Sequence, residues 1–159
     1  MLKALVLYHS LFGNTKTVAR SLAAGVKESG IAVDCQSIQE VSITEVSNYD
    51  LIAIGSPTHM IRPSKEMKAF LKRLRSIDLK EKFGFSFDTR NESKMNKRSL
   101  LALENSAARL IEGVMKRMKM RIIRPRASAI VSGREGPLDE GVEDTFFQIG
   151  KEIGNLLVA

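Results

Sequence analysis

Apolar positions along the chain alternate between two periods, and the changes of period mark the elements. "KALVLY", ending at Tyr8, is a nearly unbroken apolar run, the pattern of a strand covered on both faces. From Thr15 the pattern changes: Val18, Leu22 and Val26 recur every fourth residue until Gly30, which predicts a helix and its stop. "IAVDCQ" from Ile31 alternates, with Ile31, Val33 and Cys35 on one face and Asp34 and Gln36 on the other, as an edge strand does. "LIAIG", ending at Gly55, is a second fully apolar run, and Met67, Phe70, Leu71 and Leu74 mark the helix after it. "FGFSF" from Phe83 is a fourth strand. Leu100, Leu103, Ala107, Leu110, Ile111, Val114 and Met118 form a long helical stripe, and "ASAIVS" from Ala127 is a fifth strand. Val142, Phe146, Ile149, Ile153 and Leu156 predict a last helix.

Five strands alternating with helices imply an α/β three-layer sandwich: a five-stranded parallel sheet with helices on both faces. The edge character of the second strand favours the order 2-1-3-4-5. No repeat, low-complexity tract or linker interrupts residues 1–159, so a single domain is expected. In such a sheet a ligand sits beyond the carboxyl ends of the strands, where the order reverses between the first and third. Three predicted loops meet there: "HSLFGNT", "SPTHMIRPS" and "DTRNES".

Composition narrows the setting. The 159 residues are 43% hydrophobic and 27% charged, which suits a folded chain rather than a disordered one. One cysteine, Cys35, allows neither an intramolecular disulfide nor a cysteine-based zinc cluster, so a reducing cytoplasm is expected. No signal peptide or membrane-spanning segment is apparent, and no membrane insertion is expected. The net charge of +7 is uneven: residues 60–126 hold 19 Lys and Arg against 7 Asp and Glu. A basic middle admits nucleic acid, a membrane surface or an acidic protein as partners.

The first loop, between a buried strand and a helix N-terminus, carries no charged side chain. Backbone N–H groups of a first helical turn lack helical partners, and the helix dipole adds positive potential, so a phosphate can bind there without Lys or Arg. Gly13 permits close backbone approach, Asn14 and Thr15 start the helix, and the hydroxyls of Ser10 and Thr15 can donate to phosphate oxygens. A capped turn that binds nothing uses the same residue types.

"LYHSLFGNTKTVARSL" resembles the FMN phosphate signature of the flavodoxin family at aromatic Tyr8, hydroxyl Ser10, small Gly13, Thr15, Ala19 and apolar Leu22. "GSPTHM" is similar to that family's second flavin loop, "FDTR" sits where its third belongs, and "GREGPL" also looks like small flavodoxin-like proteins. The resemblance implies a flavodoxin-like fold binding FMN. It places Ser10, Leu11, Phe12, Gly13, Asn14 and Thr15 around the phosphate. Ser56, Pro57, Thr58 and His59 would line the ribityl chain and one ring edge, with Phe87, Asp88, Thr89 and Arg90 on the pyrimidine side. No catalytic side chain and no metal ligand are implied. Many flavodoxins sandwich the ring between Trp and Tyr, but this chain has no Trp and its tyrosines, Tyr8 and Tyr49, lie in no ring-flanking loop. Stacking would fall to His59, Met60 or Phe87.

Other users of this architecture do not match. A phosphorylation receiver needs acids after the first strand and an aspartate after the third, where His9, Ser10 and Ser56 stand. A low-molecular-weight tyrosine phosphatase needs a cysteine in the first loop, and neither G-x-G-x-x-G nor a P-loop Gly-Lys pair follows any strand. Two functions stay open: an electron carrier, which the short chain favours, and an FMN-dependent NAD(P)H:quinone-type reductase. Arg62, Lys65, Lys68, Arg90, Lys94 and Lys97 are expected to ring the cofactor edge and steer an acidic redox partner. A nicotinamide or quinone is the partner in the reductase reading. Nucleic acid is disfavoured, because no recognition motif or aromatic platform accompanies the charge.

Overall fold

A computed structural model of the chain describes residues 1–59, 62–91, 106–133 and 135–159, with His59 described by its backbone only. The described elements are β1 (Lys3–Tyr8), α1 (Asn14–Lys27), β2 (Ala32–Ser37), a 3-10 turn (Ile43–Asn48), β3 (Leu51–His59), β4 (Arg62–Pro63), α2 (Lys65–Leu74), β5 (Phe83–Asn91), α3 (Ala107–Arg117), β6 (Arg121–Ile122), β7 (Ala127–Val131) and α4 (Val142–Val158). Leu100 and Leu103 of the predicted helical stripe, and Met60, Lys94 and Lys97 of the predicted cofactor edge, lie outside the described residues.

The long strands run parallel in the order β2-β1-β3-β5-β7, the predicted 2-1-3-4-5 arrangement. Among the described residues the sheet has seven strands rather than five. β6 pairs with Phe83 and Gly84 at the start of β5, leaving the end of β5, Phe87–Asn91, to β7. β4 folds back antiparallel on the end of β3, pairing Thr58 with Pro63 and His59 with Arg62. These two-residue strands are too short to show a period in the sequence.

Each face of the sheet is covered by its own apolar cluster. On one side Val18, Leu22 and Val26 of α1 and Phe146, Ile149 and Ile153 of α4 pack on Val6, Ala53, Phe85 and Phe87. On the other, Met67, Phe70, Leu71 and Leu74 of α2 and Ile111, Val114 and Met115 of α3 pack on Leu5, Leu7, Ile52 and Ile54. Two stripe positions depart from expectation. Leu110 is 43% exposed: at ~100° per residue it lies well off the arc of Ala107, Ala108, Ile111, Val114 and Met115, which faces the sheet. Leu156 is likewise exposed, and its neighbour Leu157 packs on the core instead.

β2 is the edge strand that its alternation predicts. Val33 and Cys35 lie against the α1 side, while Asp34 accepts a 2.6 Å hydrogen bond from the Tyr49 hydroxyl. That bond to a carboxylate, followed by burial, pushes the Tyr49 phenol up to about 12. Burial also pushes the Cys35 thiol up to about 11, with Arg20 and Lys16 only partly opposing it. Because the thiolate is the nucleophile, Cys35 will react with iodoacetamide at pH 8 far more slowly than an unfolded-chain thiol of pKa ~8.5. Labelling as fast as in denaturant would mean that the strand edge opens readily.

Candidate functional site

At the carboxyl end of the sheet the backbone turns from β1 into α1 through residues 9–13. Gly13 stands at the cap position with φ +92°, a left-handed conformation that side chains other than glycine resist. Its N–H donates to Ser10 Oγ at 3.0 Å, which closes the turn and leaves the Ser10 proton available to another acceptor. Leu11 and Phe12, at the tip, are 49% and 46% exposed.

Each of the four described α-helices resolves its N-terminus differently. α2 is capped by Ser64, whose oxygen accepts from Met67 N–H, and carries Glu66 in its first turn. α3 is capped by Ser106 and receives Asp88 from β5, while α4 has Glu143 and Asp144 in its first turn. α1 has neither a side-chain cap nor an acid. Its free N–H groups and dipole are answered by no negative group of the protein in that turn.

Thr15 is buried, and its hydroxyl pairs with that of Thr89 at 2.8 Å. Of the two protons in that pair one is used internally, so one remains for a further acceptor. The Asn14 side chain lies against Gly136: a Cβ on that glycine would fall 2.7 Å from Asn14 Oδ1. Gly136 therefore packs beside the first loop, and its position there requires a residue without a side chain.

The other expected site residues are arranged differently from three loops. Ser56, Pro57, Thr58 and His59 belong to β3, and Phe87, Asp88, Thr89 and Arg90 belong to β5; Ser56 pairs with Asp88 and Pro57 with Thr89. Polar residues extend both strands: Ser56 and Thr58 are hydrogen-bonded internally, and Asp88 uses Oδ2 in the same way while its Oδ1 is buried without a partner among the described residues. Ser56 is fully buried and its Oγ accepts from Ser64 N–H at 3.1 Å. Thr58 donates to Asp88 Oδ2 at 2.9 Å and accepts from Ala107 N–H at 3.1 Å. Asp88 also accepts from Ala108 N–H at 3.2 Å. These side chains tie β3 and β5 to the N-termini of α2 and α3 and fix the two strand ends relative to those helices.

Phe87, expected beside the ring, is placed in the core. It is fully buried, stacked on Phe85 with centroids 6.1 Å apart and edge-on to Phe146 at 5.9 Å. A Cβ on Gly55 would strike its ring at 2.1 Å, so the third strand keeps a glycine there to make room. Arg90 is 8% exposed and is not an exposed member of a charged rim. Arg62, Lys65 and Lys68 are exposed at this end, with Glu66 among them.

Sequence reasoning missed Ser64 and His9 as a pair. His9 is buried, and its Nδ1 lies 2.8 Å from Ser64 Oγ, with Nε2 3.9 Å from Glu66. A serine directly before an apolar helical pattern is the signal that marks Ser64 as a cap. Its link to a histidine 55 residues away leaves no such signal.

A family model for the flavodoxin domain matches residues 5–129. The chain belongs to the flavodoxin family. It superimposes on a flavodoxin from the domain Archaea with a TM-score of 0.80 at 23% identity, covering 99% of this chain and 100% of that one. A short-chain flavodoxin associated with a non-canonical PDU bacterial microcompartment superimposes at 0.77 with 16% identity over the whole of both chains. Among curated proteins, an NAD(P)H dehydrogenase (quinone) of Acidovorax ebreus is 32% identical over 91 residues, covering 45% of this chain and 46% of the relative. The matching enzyme of Cupriavidus metallidurans is 31% identical over the same length. The matched stretch thus spans just under half the length of these curated relatives.

FMN is the cofactor of flavodoxins, and the residues present fit its phosphate. The α1 N-terminus is free of caps and acids, Ser10 and the Thr15–Thr89 pair retain protons, and a Cβ on Gly13 would meet nothing within 4 Å. Among the described residues no group of His, Cys, Asp and Glu could hold a metal ion, and no described helix is long and apolar enough to cross a membrane.

Proposed function

We propose that this protein carries electrons on FMN held at the α1 end of the sheet, with a quinone-type reductase activity as the second reading. The observation that carries the proposal is the α1 N-terminus, the one described α-helical N-terminus with neither a side-chain cap nor an acid in its first turn. Ser10, Leu11, Phe12, Gly13, Asn14 and Thr15 would hold the phosphate, largely through backbone N–H groups. The β3 edge at Pro57–His59 and the β5 edge at Thr89–Arg90 would border the remainder of the cofactor. When bound, FMN supplies one- and two-electron redox chemistry, and the protein supplies position and electrostatics. Phe12, exposed beside the phosphate turn, and the hairpin of β3 and β4 are the features nearest to a partner approaching that end.

End-to-end correspondence with flavodoxins, short-chain ones included, supports the carrier. About 30% identity to quinone dehydrogenases over 91 residues supports the reductase. For the carrier, Arg62, Lys65 and Lys68 suit an acidic redox partner. The unpaired Cys35 suits a reducing, cytoplasmic setting. A steady-state assay separates the two readings. FMN-loaded protein with NADH or NADPH and a water-soluble quinone should turn over well below ~1 s⁻¹, against ~10 s⁻¹ for a typical enzyme. Turnover at the enzymatic rate would make the reductase the correct reading.

A further inference from the structure

An excess of positive charge lies at the end of the sheet opposite the proposed cofactor site. Residues 72–82 and 116–121 hold nine of the 25 Lys and Arg and two of the 18 Asp and Glu, leaving 16 of each in the rest of the sequence. The whole net charge of +7 is therefore carried by two short segments. The fold joins them. Lys72 and Arg73 are in the last turn of α2, with Arg75 as its C-cap, and Lys116 and Arg117 are in the last turn of α3. Glu81 N–H donates to Lys119 C=O at 3.0 Å, Arg121 N–H donates to Lys82 C=O at 2.8 Å, and Arg121 is ion-paired with Glu81. Both turns are fixed by left-handed residues other than glycine, Glu81 at φ 70° and Lys119 at φ 64°. Lys72, Arg73, Arg75, Lys80, Lys116, Arg117, Lys119 and Arg121 are exposed.

Lysine and arginine at helix C-termini are favourable in themselves, because they answer the negative pole of the dipole. Lys80, Lys82 and Arg121 lie outside any described helix, and among the described residues Glu81 pairs with Arg121 and Glu112 with Lys116 and Arg126. A second copy of the chain is repelled by this face. A protein partner would want an apolar anchor, and the large exposed hydrophobics, Met1, Leu11, Phe12, Leu110, Leu156 and Val158, are in neither segment. Nucleic acid would want aromatic platforms or a recognition element, and neither segment contains an aromatic residue. Half-buried Ile77, Met118 and Ile122 lie between the cations and suit the boundary of a headgroup layer.

From this we infer that the basic end is a docking face for an anionic lipid surface. Juxtamembrane lysines and arginines each add to such binding without a shaped pocket, and salt weakens it. β5 separates the two ends by nine residues, ~30 Å at ~3.3 Å each. On the proposed cofactor site, docking at the basic end turns the flavin away from the bilayer, toward donors and acceptors in solution. The lipid binding itself does not depend on that cofactor assignment.

Pelleting of the full chain with phosphatidylcholine vesicles, with and without phosphatidylglycerol, tests the inference. Binding is expected only with the anionic lipid and is expected to fall as salt rises. The triple variant Lys116→Glu, Arg117→Glu, Lys119→Glu should lose about 100-fold in partitioning. The charge-matched control Arg62→Glu, Lys65→Glu, Lys68→Glu, at the other end, should lose less than a tenth of that. Circular dichroism of both variants establishes that they are folded, and Lys116→Gln with Lys119→Gln gives an intermediate loss if the first triple is not. Failure to pellet with anionic vesicles, equal losses in the two triples, or tighter binding to duplex DNA or an acidic protein at the same salt would each overturn the assignment. FMN binding measured on the same samples keeps a wrong cofactor site distinct from a wrong lipid face.

Discussion

Asn14→Asp will raise thermal stability slightly and at the same time lower FMN affinity about 1,000-fold, with riboflavin affinity unchanged. The two effects have opposite signs because the same helix N-terminus causes both. A carboxylate in the first turn of α1 supplies the anion that this helix lacks, worth ~0.3–1 kcal/mol to the fold. It also places a negative charge where the phosphate is proposed to sit. Two unit charges at ~4 Å repel by roughly 4 kcal/mol at an effective dielectric of ~20, which is about 1,000-fold in affinity. Riboflavin has no phosphate and is indifferent to the change. Isothermal titration with both flavins and a melting curve read all three quantities. Equal weakening of the two flavins would mean that Asn14 touches the ring or shapes the loop, and that the phosphate is bound elsewhere.

Gly13→Val will abolish FMN binding while leaving the chain folded. Space is not the reason, since a Cβ at this position meets nothing within 4 Å. The reason is φ: at +92° a β-branched residue is strained by more than the ~1–2 kcal/mol that an ordinary L residue pays there. The loop can relieve that strain only by rotating the N–H groups that would face the phosphate. The apolar clusters on the two faces of the sheet do not include Gly13, so far-ultraviolet circular dichroism should be unchanged. Flavin fluorescence titration reads the binding. Retention of affinity within ~10-fold would show that the turn adapts and that its backbone is not the ligand-binding element. Thr15→Val is a poorer probe, because it would leave the buried Thr89 hydroxyl without its partner and cost stability as well.

Periodicity marked the long strands and the helices between them, and their parallel order followed once the alternating second strand was placed at the edge of a doubly wound sheet. The first loop was legible in part: a glycine, hydroxyls and no charge between a strand and a helix suit a phosphate turn or a capped turn that binds nothing, and the flavodoxin resemblance favours the phosphate. Ser56, Thr58, Asp88 and Thr89 were legible as residues that matter, but their work was not. A polar side chain at a strand end can face a ligand or be satisfied internally, and only the packing of the α2 and α3 N-termini against β3 and β5 decides between them. Phe87 could have stood beside a ring; the missing Cβ of Gly55 admits it to the core instead. Charge shows the division most clearly. Along the sequence the basic residues form one block, from 60 to 126, and read as a rim around the proposed cofactor site. In the fold, the helices of a parallel α/β sheet run opposite to its strands, so the first turns of α2 and α3 lie at the carboxyl end of the strands, where the cofactor is proposed to sit, and their last turns at the other. The block is thereby divided between the two ends, and the net charge of the protein falls on the end opposite the proposed cofactor site.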